Sequence, residues 1–216
     1  MTWVFDNLGL IGERTWVHLL TSLPAIFAAL IMSLPLGWLA HRVRPLNSGI
    51  LTTAGLLYAI PSLPLFIALP VILGTGLRDL TNVIIALTLY GVALMVRSVA
   101  EGFDSVPPEA RLAAVALGYS PLRRVLTVEL PLAAPVILTG LRVVSVSTLS
   151  LCTVGAVLGI PSLGMLFTDG FQRSIIPELL TGIVMTLLLA AVLDALLVAL
   201  GRVLTPWRRT GSGARA

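Results

Sequence analysis

The chain has 216 residues, of which 57% are hydrophobic and only 11% are charged, and its mean hydropathy is +1.01. Soluble domains carry roughly 25% charged residues, so this sequence has too few charges to cover a water-facing surface and is predicted to be an integral membrane protein. All 14 basic residues are arginine, which excludes a P-loop with its phosphate-binding lysine. One cysteine and two histidines 23 residues apart exclude an internal disulfide and make no zinc motif.

Five apolar stretches, almost free of charge, predict five membrane-spanning helices, because a helix crosses the hydrocarbon in about 20 residues. The residues before them, 1–18, combine aromatic and aliphatic side chains with sparse charges and are expected to form an interfacial segment. Asp6 and Glu13 stand where a secretory signal would be basic, so we expect no cleaved signal peptide. A single transmembrane domain is predicted at 19–206, with spans at about 19–40, 50–77, 80–96, 132–158 and 179–201 and a cytoplasmic tail at 207–216.

The arginines predict the orientation of these spans. With the N-terminus outside and the C-terminus in the cytoplasm, eleven arginines fall in cytoplasmic segments, and only Arg14, Arg78 and Arg173 fall outside. This is the positive-inside distribution of multi-pass membrane proteins. The basic sequence pI of about 10.2 therefore reflects topology, and no nucleic-acid partner is expected.

The second span contains three prolines, Pro61, Pro64 and Pro70, which predict a bent or partly unwound helix. Carbonyl groups released from a helix ladder are tolerated in a membrane only beside protein or a cavity. The span is therefore a candidate to line a pathway. The alternative is a kink that merely accommodates 28 apolar residues in a bilayer that needs about 20.

One long polar segment, 98–131, predicts a cytoplasmic helix-turn-helix. Its first helix is expected to begin at Pro107 and Pro108, because proline is favoured in the first turn of a helix. Glu109 adds a negative charge near the positive end of the helix dipole. Gly118 is typical of the C-terminal cap that ends such a helix.

A second, amphipathic helix is predicted after this break. Ser120 supplies an N-cap and Pro121 a favourable first position. Leu130 and Pro131 are expected to end the helix and turn the chain back toward the bilayer.

This segment resembles the cytoplasmic "EAA" loop of the inner-membrane permeases of ABC importers. In that family Glu-Ala-Ala is followed by three residues, a Gly, about nine residues, a β-branched residue, one further residue and Leu-Pro. The glutamate position is occupied here by Leu112, which departs from the family pattern. The residues that fall in the family's register are Ala113, Ala114, Gly118, Val128, Leu130 and Pro131.

The resemblance implies that the loop docks in a cleft of a cytoplasmic ATPase subunit and carries its movement to the spans. Without the family's glutamate, Glu109 or Arg111 is expected to fix the loop by polar contacts, or packing alone holds it. The residues implied in coupling are Glu109, Arg111, Ala113, Ala114, Gly118, Tyr119, Ser120, Arg123, Arg124, Leu130 and Pro131.

Over about 15–206, the sequence is similar to the permeases of importers for quaternary-amine osmoprotectants such as glycine betaine, carnitine and choline. A methionine-type or other amino-acid ABC permease, of nearly the same length and topology, is the alternative. The similarity is carried by Ile60-Pro61-Ser62-Leu63, by Leu89-Tyr90 with Val96-Arg97, and by the stretch Val128–Leu138.

The same resemblance implies an all-α, type I ABC importer permease fold with five transmembrane helices. It also implies four kinds of partner: cytoplasmic ATPase subunits, a second permease subunit that is identical or different, an extracytoplasmic solute-binding protein, and the lipid of a bacterial inner membrane. The chain itself is expected to be a transporter subunit and not an enzyme, with no catalytic residue, metal or cofactor of its own. ATP and Mg are expected on the partner ATPase.

A quaternary ammonium group has no N–H donor, so a pathway for it would use aromatic faces and cation–π contacts. The competing interpretation of each aromatic residue inside a span is packing. Asp194 interrupts the fifth span, where a charge costs about 2.5–3.5 kcal/mol on insertion scales. A structural contact is the favoured interpretation of Asp194, an ion-coupled secondary transporter is the competing hypothesis, and Arg142 is expected to extend toward the inner interface. The candidate pathway residues are Tyr58, Pro61, Ser62, Pro64, Phe66, Tyr90 and Asp194.

Overall fold

The fold is described here by a computed structural model that covers residues 2–206. These residues contain helices and turns and no β-strand, which confirms the predicted all-α class. A π-helical turn, Val125–Glu129, precedes α8, and a 3-10 turn, Thr153–Leu158, follows it. The helices are α1 Thr2–Asp6, α2 Leu8–Arg42, α3 Arg44–Ala59, α4 Ser62–Leu73, α5 Leu80–Asp104, α6 Pro108–Ala116, α7 Pro121–Arg124, α8 Leu130–Cys152, α9 Gly164–Gln172 and α10 Ile176–Leu204. The predicted tail, 207–216, lies outside the described residues.

Four helical units in residues 2–206 are long and apolar enough to cross a membrane, and a fifth is formed if α3 and α4 count as one broken span. The unbroken units are α2, α5, the continuous stretch 121–158 and α10. The first runs on from Leu8, so most of the predicted interfacial segment belongs to the same helix as the first span. The third predicted span, α5, continues to Asp104, eight residues beyond the predicted limit, because a single exposed arginine does not interrupt a helix.

The bend in the second span lies at Ile60 and Pro61, where α3 and α4 meet at 98°. Both residues are extended, with ψ of 127° and 134°. A proline disfavours helical geometry in the residue before it, which explains why α3 ends at Ala59. Of the three prolines that predicted a bend, Pro61 lies at the bend, whereas Pro64 and Pro70 lie within α4.

The expected turn at Leu130 and Pro131 is wrong. Pro131 lies in the first turn of α8, which continues directly from α7 through the π turn. Leu130 N–H bonds to the carbonyl of Val125, five residues back. A π turn widens the helix locally, and this widening lets the chain accept a proline that lacks an N–H donor.

Helix α5 is the centre of the fold and packs against α2, α3, α4 and α8. Glycines allow the closest of these contacts. A Cβ atom at Gly37 of α2 would lie 2.6 Å from the Cβ of Val99, and one at Gly140 of α8 would overlap the side chain of Ser98. Small residues at such contacts let membrane helices approach each other, because hydrophobic transfer gives little driving force inside lipid.

We expect Gly140→Val to lower the stability of the permease by about 1–3 kcal/mol, since the added atoms would push α8 away from Ser98. The matched control is Gly55→Val in α3, where an added Cβ has no neighbour within 4 Å. Thermal unfolding of the two purified variants in detergent measures the difference. Equal unfolding temperatures would contradict the importance of the α5–α8 contact.

Candidate functional site

The first helix of the polar loop, α6, ends in the predicted glycine turn. Gly118 has φ of 75°, a left-handed conformation that favours glycine. Its N–H bonds to the carbonyl of Val115 at 2.9 Å, and the next N–H, of Tyr119, bonds to Ala114 at 3.1 Å. This pair of bonds is a Schellman motif. An added side chain would have open space here, so the backbone conformation and not crowding requires the glycine.

The second helix of the loop begins at the predicted cap. The Ser120 hydroxyl accepts a hydrogen bond from the N–H of Arg123 at 3.4 Å, and Pro121 lies in the first turn. The guanidinium of Arg123 lies 4.5 Å from the centre of the Tyr119 ring, a cation–π distance. These contacts link the turn to the helix that follows it.

The loop is tied to α5 by Arg111. Its Nη2 donates to the carbonyl oxygen of Phe103, in the last turn of α5, and Ala114 is the buried residue of α6. Glu109, the other proposed substitute for the family's glutamate, is exposed in the first turn of α6. Of the two residues, Arg111 is the one that makes a polar contact with a membrane helix.

The π turn after α7 is bridged by an ion pair. Arg124 Nε donates to Glu129 Oε1 at 2.7 Å, and Glu129 is almost completely buried. The two residues are five apart, the spacing of the hydrogen bonds in a π-helix. The pair stabilises the junction between the loop and α8.

A second contact, at the end of α5 that leads into the loop, was not predicted from the sequence. His41 Nδ1 of α2 lies 2.5 Å from Asp104 Oδ1 of α5, and the His41 ring stacks on Phe103 with ring centres 6.0 Å apart. Phe103 is also the residue whose carbonyl accepts from Arg111. The end of α2, the end of α5 and helix α6 of the loop therefore all meet at Phe103. No sequence signal joins His41 to a partner 63 residues away.

Several large apolar side chains of the loop are exposed in the described structure, and two of them, Leu122 and Leu126, line an apolar groove beside α2. Exposed apolar surface of this kind marks a protein contact more often than a solvated loop. Five large side chains of the loop are exposed: Leu112, Val115, Leu117, Leu122 and Leu126.

The bend in the second span brings together two of the predicted pathway residues. Tyr90 of α5 donates its hydroxyl to the free carbonyl of Ile60 at 2.5 Å. Its ring packs edge-to-face with Tyr58, with centres 6.0 Å apart. Tyr58 is 45% exposed and Tyr90 only 3%, so Tyr58 presents the aromatic surface and Tyr90 supports the bend.

The remaining candidates in this span are not part of that aromatic pair. Phe66 is completely buried in a core cluster with Leu87 and Ile160, where it packs against α5 and the turn after α8. Ser62 and Pro64 lie in the first turn of α4, half-buried and exposed respectively.

Asp194 pairs with Arg142, a partner that the sequence did not suggest. Arg142 donates through Nε to Oδ1 at 2.6 Å and through Nη2 to Oδ2 at 2.8 Å, which joins α8 to α10. The arginine that was expected to extend toward the interface is thus held within the membrane helices. The signal that could have found the pair is that each residue is an isolated charge in an apolar stretch, and the two charges are opposite.

The sequence of this chain matches the family model of the binding-protein-dependent transport system inner membrane component over residues 25–210. The chain belongs to this family. Among its relatives is the osmoprotectant import permease protein OsmW of Salmonella typhimurium, which is 38% identical over 94% of this chain and 96% of that protein. The glycine betaine/carnitine/choline transport system permease protein OpuCD of Bacillus subtilis is 28% identical over 96% and 90% of the two chains.

The fold of this inner membrane component is also found among solved structures. An inward-facing conformation of the MetNI methionine ABC transporter superposes with a TM-score of 0.81, covering 93% of this chain and 98% of that one at 22% identity. The predicted type I permease fold and the predicted osmoprotectant-permease resemblance are both confirmed. No cluster of three or more metal-ligating side chains occurs in the part of the chain that the structure describes.

For the loop contact we expect Arg111→Gln to loosen α6, because the shorter amide cannot replace a charged donor to Phe103. A hydrogen bond to a charged group contributes about 1.5–3 kcal/mol, so amide exchange in α6 should accelerate about ten-fold or more. Hydrogen exchange read by mass spectrometry measures this. Arg123→Gln is the control, since its guanidinium lies at the surface over Tyr119. If both variants exchanged alike, the anchoring role of Arg111 would be refuted.

Proposed function

We propose that the chain is the permease subunit of an ATP-driven importer for quaternary-amine osmoprotectants such as glycine betaine, choline or carnitine. The observation that carries the proposal is the loop Pro108–Arg124, a helix-turn-helix with exposed apolar side chains. The substrate class is supported by the 38% identity to a permease named for osmoprotectant import and by a relative named for glycine betaine, carnitine and choline.

The loop is the surface through which an ATPase subunit moves the permease. Leu112 and Leu117 are largely exposed on it, and Leu122 is exposed at the edge of an apolar groove beside α2. Full burial of a leucine contributes about 1.5–3 kcal/mol of favourable free energy. A cleft of the ATPase that covers these side chains therefore binds the loop tightly enough to hold it during a transport cycle. ATP and Mg bind and react on that partner, and the permease performs no hydrolysis.

The pathway requires further partners. Five spans are too few to surround an alternating route for a solute of betaine size, so a second permease subunit, the same chain or a paralogue, completes it. An extracytoplasmic solute-binding protein delivers the solute. The N-terminus lies outside and the C-terminus in the cytoplasm, in keeping with the eleven-to-three distribution of arginines.

The broken second span is the proposed lining of the route. The bend exposes the face of Tyr58 while Tyr90 ties down the carbonyl of Ile60. An aromatic face attracts a quaternary ammonium by about 0.5–1 kcal/mol where water is present. An attraction this weak suits a site that a solute must leave as readily as it enters.

The alternatives have less support. The likeness to the methionine transporter, at 22% identity, carries the fold alone. An ion-coupled mechanism would need a carboxylate that takes up and releases a proton or a metal ion directly in each cycle, whereas both oxygens of Asp194 already accept hydrogen bonds from Arg142.

The function is tested by reconstituting the permease with the ATPase and binding protein of the same transport system in proteoliposomes. ATP-dependent accumulation of radiolabelled glycine betaine or choline is expected, and accumulation of methionine is not. Uptake driven by an ion gradient without the ATPase would overturn the proposal.

Coupling through the loop is tested by Gly118→Val. A β-branched residue with φ near 75° is strained by about 1–2 kcal/mol, so the turn should open, and ATP-driven uptake should fall at least ten-fold. Gly74→Val is the matched control, because Gly74 has φ of 67° but ends α4, far along the chain from the loop. Undiminished uptake by the Gly118 variant would exclude the coupling role.

Orientation is tested with a membrane-impermeant maleimide on intact cells. Leu77→Cys should be labelled and Leu117→Cys should not, since these exposed positions lie on opposite sides of the proposed topology. The native Cys152 is buried and provides an unlabelled background. The reverse labelling pattern would show the opposite orientation.

A further inference from the structure

Arg142 and Asp194 form the only ion pair, within residues 2–206, that lies well inside the membrane-spanning helices. The other two pairs lie at the cytoplasmic ends of α2 and α5 and in the loop. Asp194 precedes Arg202 by eight residues, or about 12 Å of helix. In a hydrocarbon core of about 30 Å, this places the pair in the inner half, near the middle of the bilayer.

The pair is not hidden inside the chain. The side chain of Arg142 is 41% exposed and that of Asp194 is 32% exposed. Charged side chains in membrane helices face a protein interior or a water-filled cavity and not lipid. The surface of α8 and α10 that carries the pair therefore faces an aqueous space or another protein surface in the assembled transporter.

A groove of about 400 Å³ opens beside the pair. It contains both signs of charge at one end, two hydroxyl groups and the methyl groups of two valines. Arg142 uses two of its five N–H donors on Asp194 and keeps three for another acceptor. The groove is lined by Thr139, Arg142, Val143, Val146, Ser147 and Asp194.

We propose that this groove is a transient binding site for a small zwitterion that carries a methylated ammonium and a carboxylate. The carboxylate accepts from the free donors of Arg142, the ammonium lies beside Asp194, and its methyl groups contact Val143 and Val146. The proposal rests on the proposed function and adds to it a preference, at this site, for carboxylate-bearing amines over choline.

The pair carries no net charge, which suits a binding site along a transport pathway. A lone arginine would hold a carboxylate too tightly for release, whereas a guanidinium that already has a carboxylate partner attracts a second one weakly. Conduction requires binding that is favourable enough for entry and weak enough for exit. The Ser147 hydroxyl replaces part of the water that the solute leaves behind, whereas the Thr139 hydroxyl donates to the carbonyl of Pro135.

The first test fills the groove without touching the charges. Val146→Trp should reduce ATP-driven uptake of glycine betaine at least ten-fold, with ATPase activity, unfolding temperature and permease stoichiometry unchanged. Val192→Trp, at an exposed position of α10 outside the groove, should transport normally. Normal uptake by the Val146 variant would overturn the proposal. So would loss of uptake together with loss of the second permease subunit, because that would show a subunit contact.

The second test separates a solute site from a structural brace. The double variant Arg142→Gln, Asp194→Asn keeps a hydrogen-bonding pair but removes both charges. It should reduce uptake of glycine betaine about ten-fold more than uptake of choline, because only betaine loses a charged partner for its carboxylate. Equal reduction of both uptakes, or none, would show that the pair only braces α8 against α10.

The inverted pair, Arg142→Asp with Asp194→Arg, keeps the brace and reverses the positions of the two charges. It should fold, and its complex with the ATPase should hydrolyse ATP normally but recover little betaine uptake; full recovery would overturn the proposal. Arg202→Gln, another charge change on α10, is the control for general effects. Failure of the proposed function is a separate result, since a wild-type complex would then accumulate neither betaine nor choline.

Discussion

The close approach of α5 to its neighbours is the constraint on which the rest of the structure depends. Inside a bilayer, apolar side chains gain little by leaving lipid, so helices associate where their backbones come near enough for dense contact. Gly37 meets Val99 on one side of α5, and Gly140 meets Ser98 on another. These contacts fix α2 and α8 against α5, and the loop clamps and the ion pair in the membrane are built on that frame.

A second constraint is that each backbone carbonyl within the membrane needs a partner. The tetrapeptide Ile-Pro-Ser-Leu occurs twice, at 60–63 and 160–163, and the helix is interrupted both times. In the first, Tyr90 donates to the carbonyl of Ile60; in the second, Ser162 Oγ donates to Cys152 and accepts from the N–H of Gly164. The sequences around the two copies do not repeat, so local proline chemistry accounts for both interruptions without a repeated unit.

The features that could be predicted from the sequence are those that depend on interactions between residues close together in the chain. Long apolar stretches indicate spans, and Gly118 and Ser120 indicate a turn and a cap because the backbone conformation and the capping hydroxyl act within four residues. The turn predicted at Leu130-Pro131 was wrong, because the helix continues through a π turn and accommodates the proline without a break. The pairing of Arg142 with Asp194, 52 residues apart, depends on how two helices rotate against each other. A local sequence pattern does not determine how two helices are rotated against each other. The burial of Phe66 depends on helix packing in the same way and could not be predicted either.

The loop is attached to the membrane helices at two independent places, and this determines how a displacement would travel. Arg111 joins α6 to the carbonyl of Phe103 at the end of α5. The other attachment is covalent, because residues 121–158 form one continuous helical unit that contains α7 and α8. The π turn is the weak point of that unit, and the Arg124–Glu129 pair bridges it. A push on the loop therefore moves α5 and α8 together, and α8 carries Arg142 with it. The groove beside Arg142 is formed by α8 and α10, and no hydrogen bond or ion pair joins α10 to the loop in the described residues. A push that moved α8 relative to α10 would therefore change the shape of the groove.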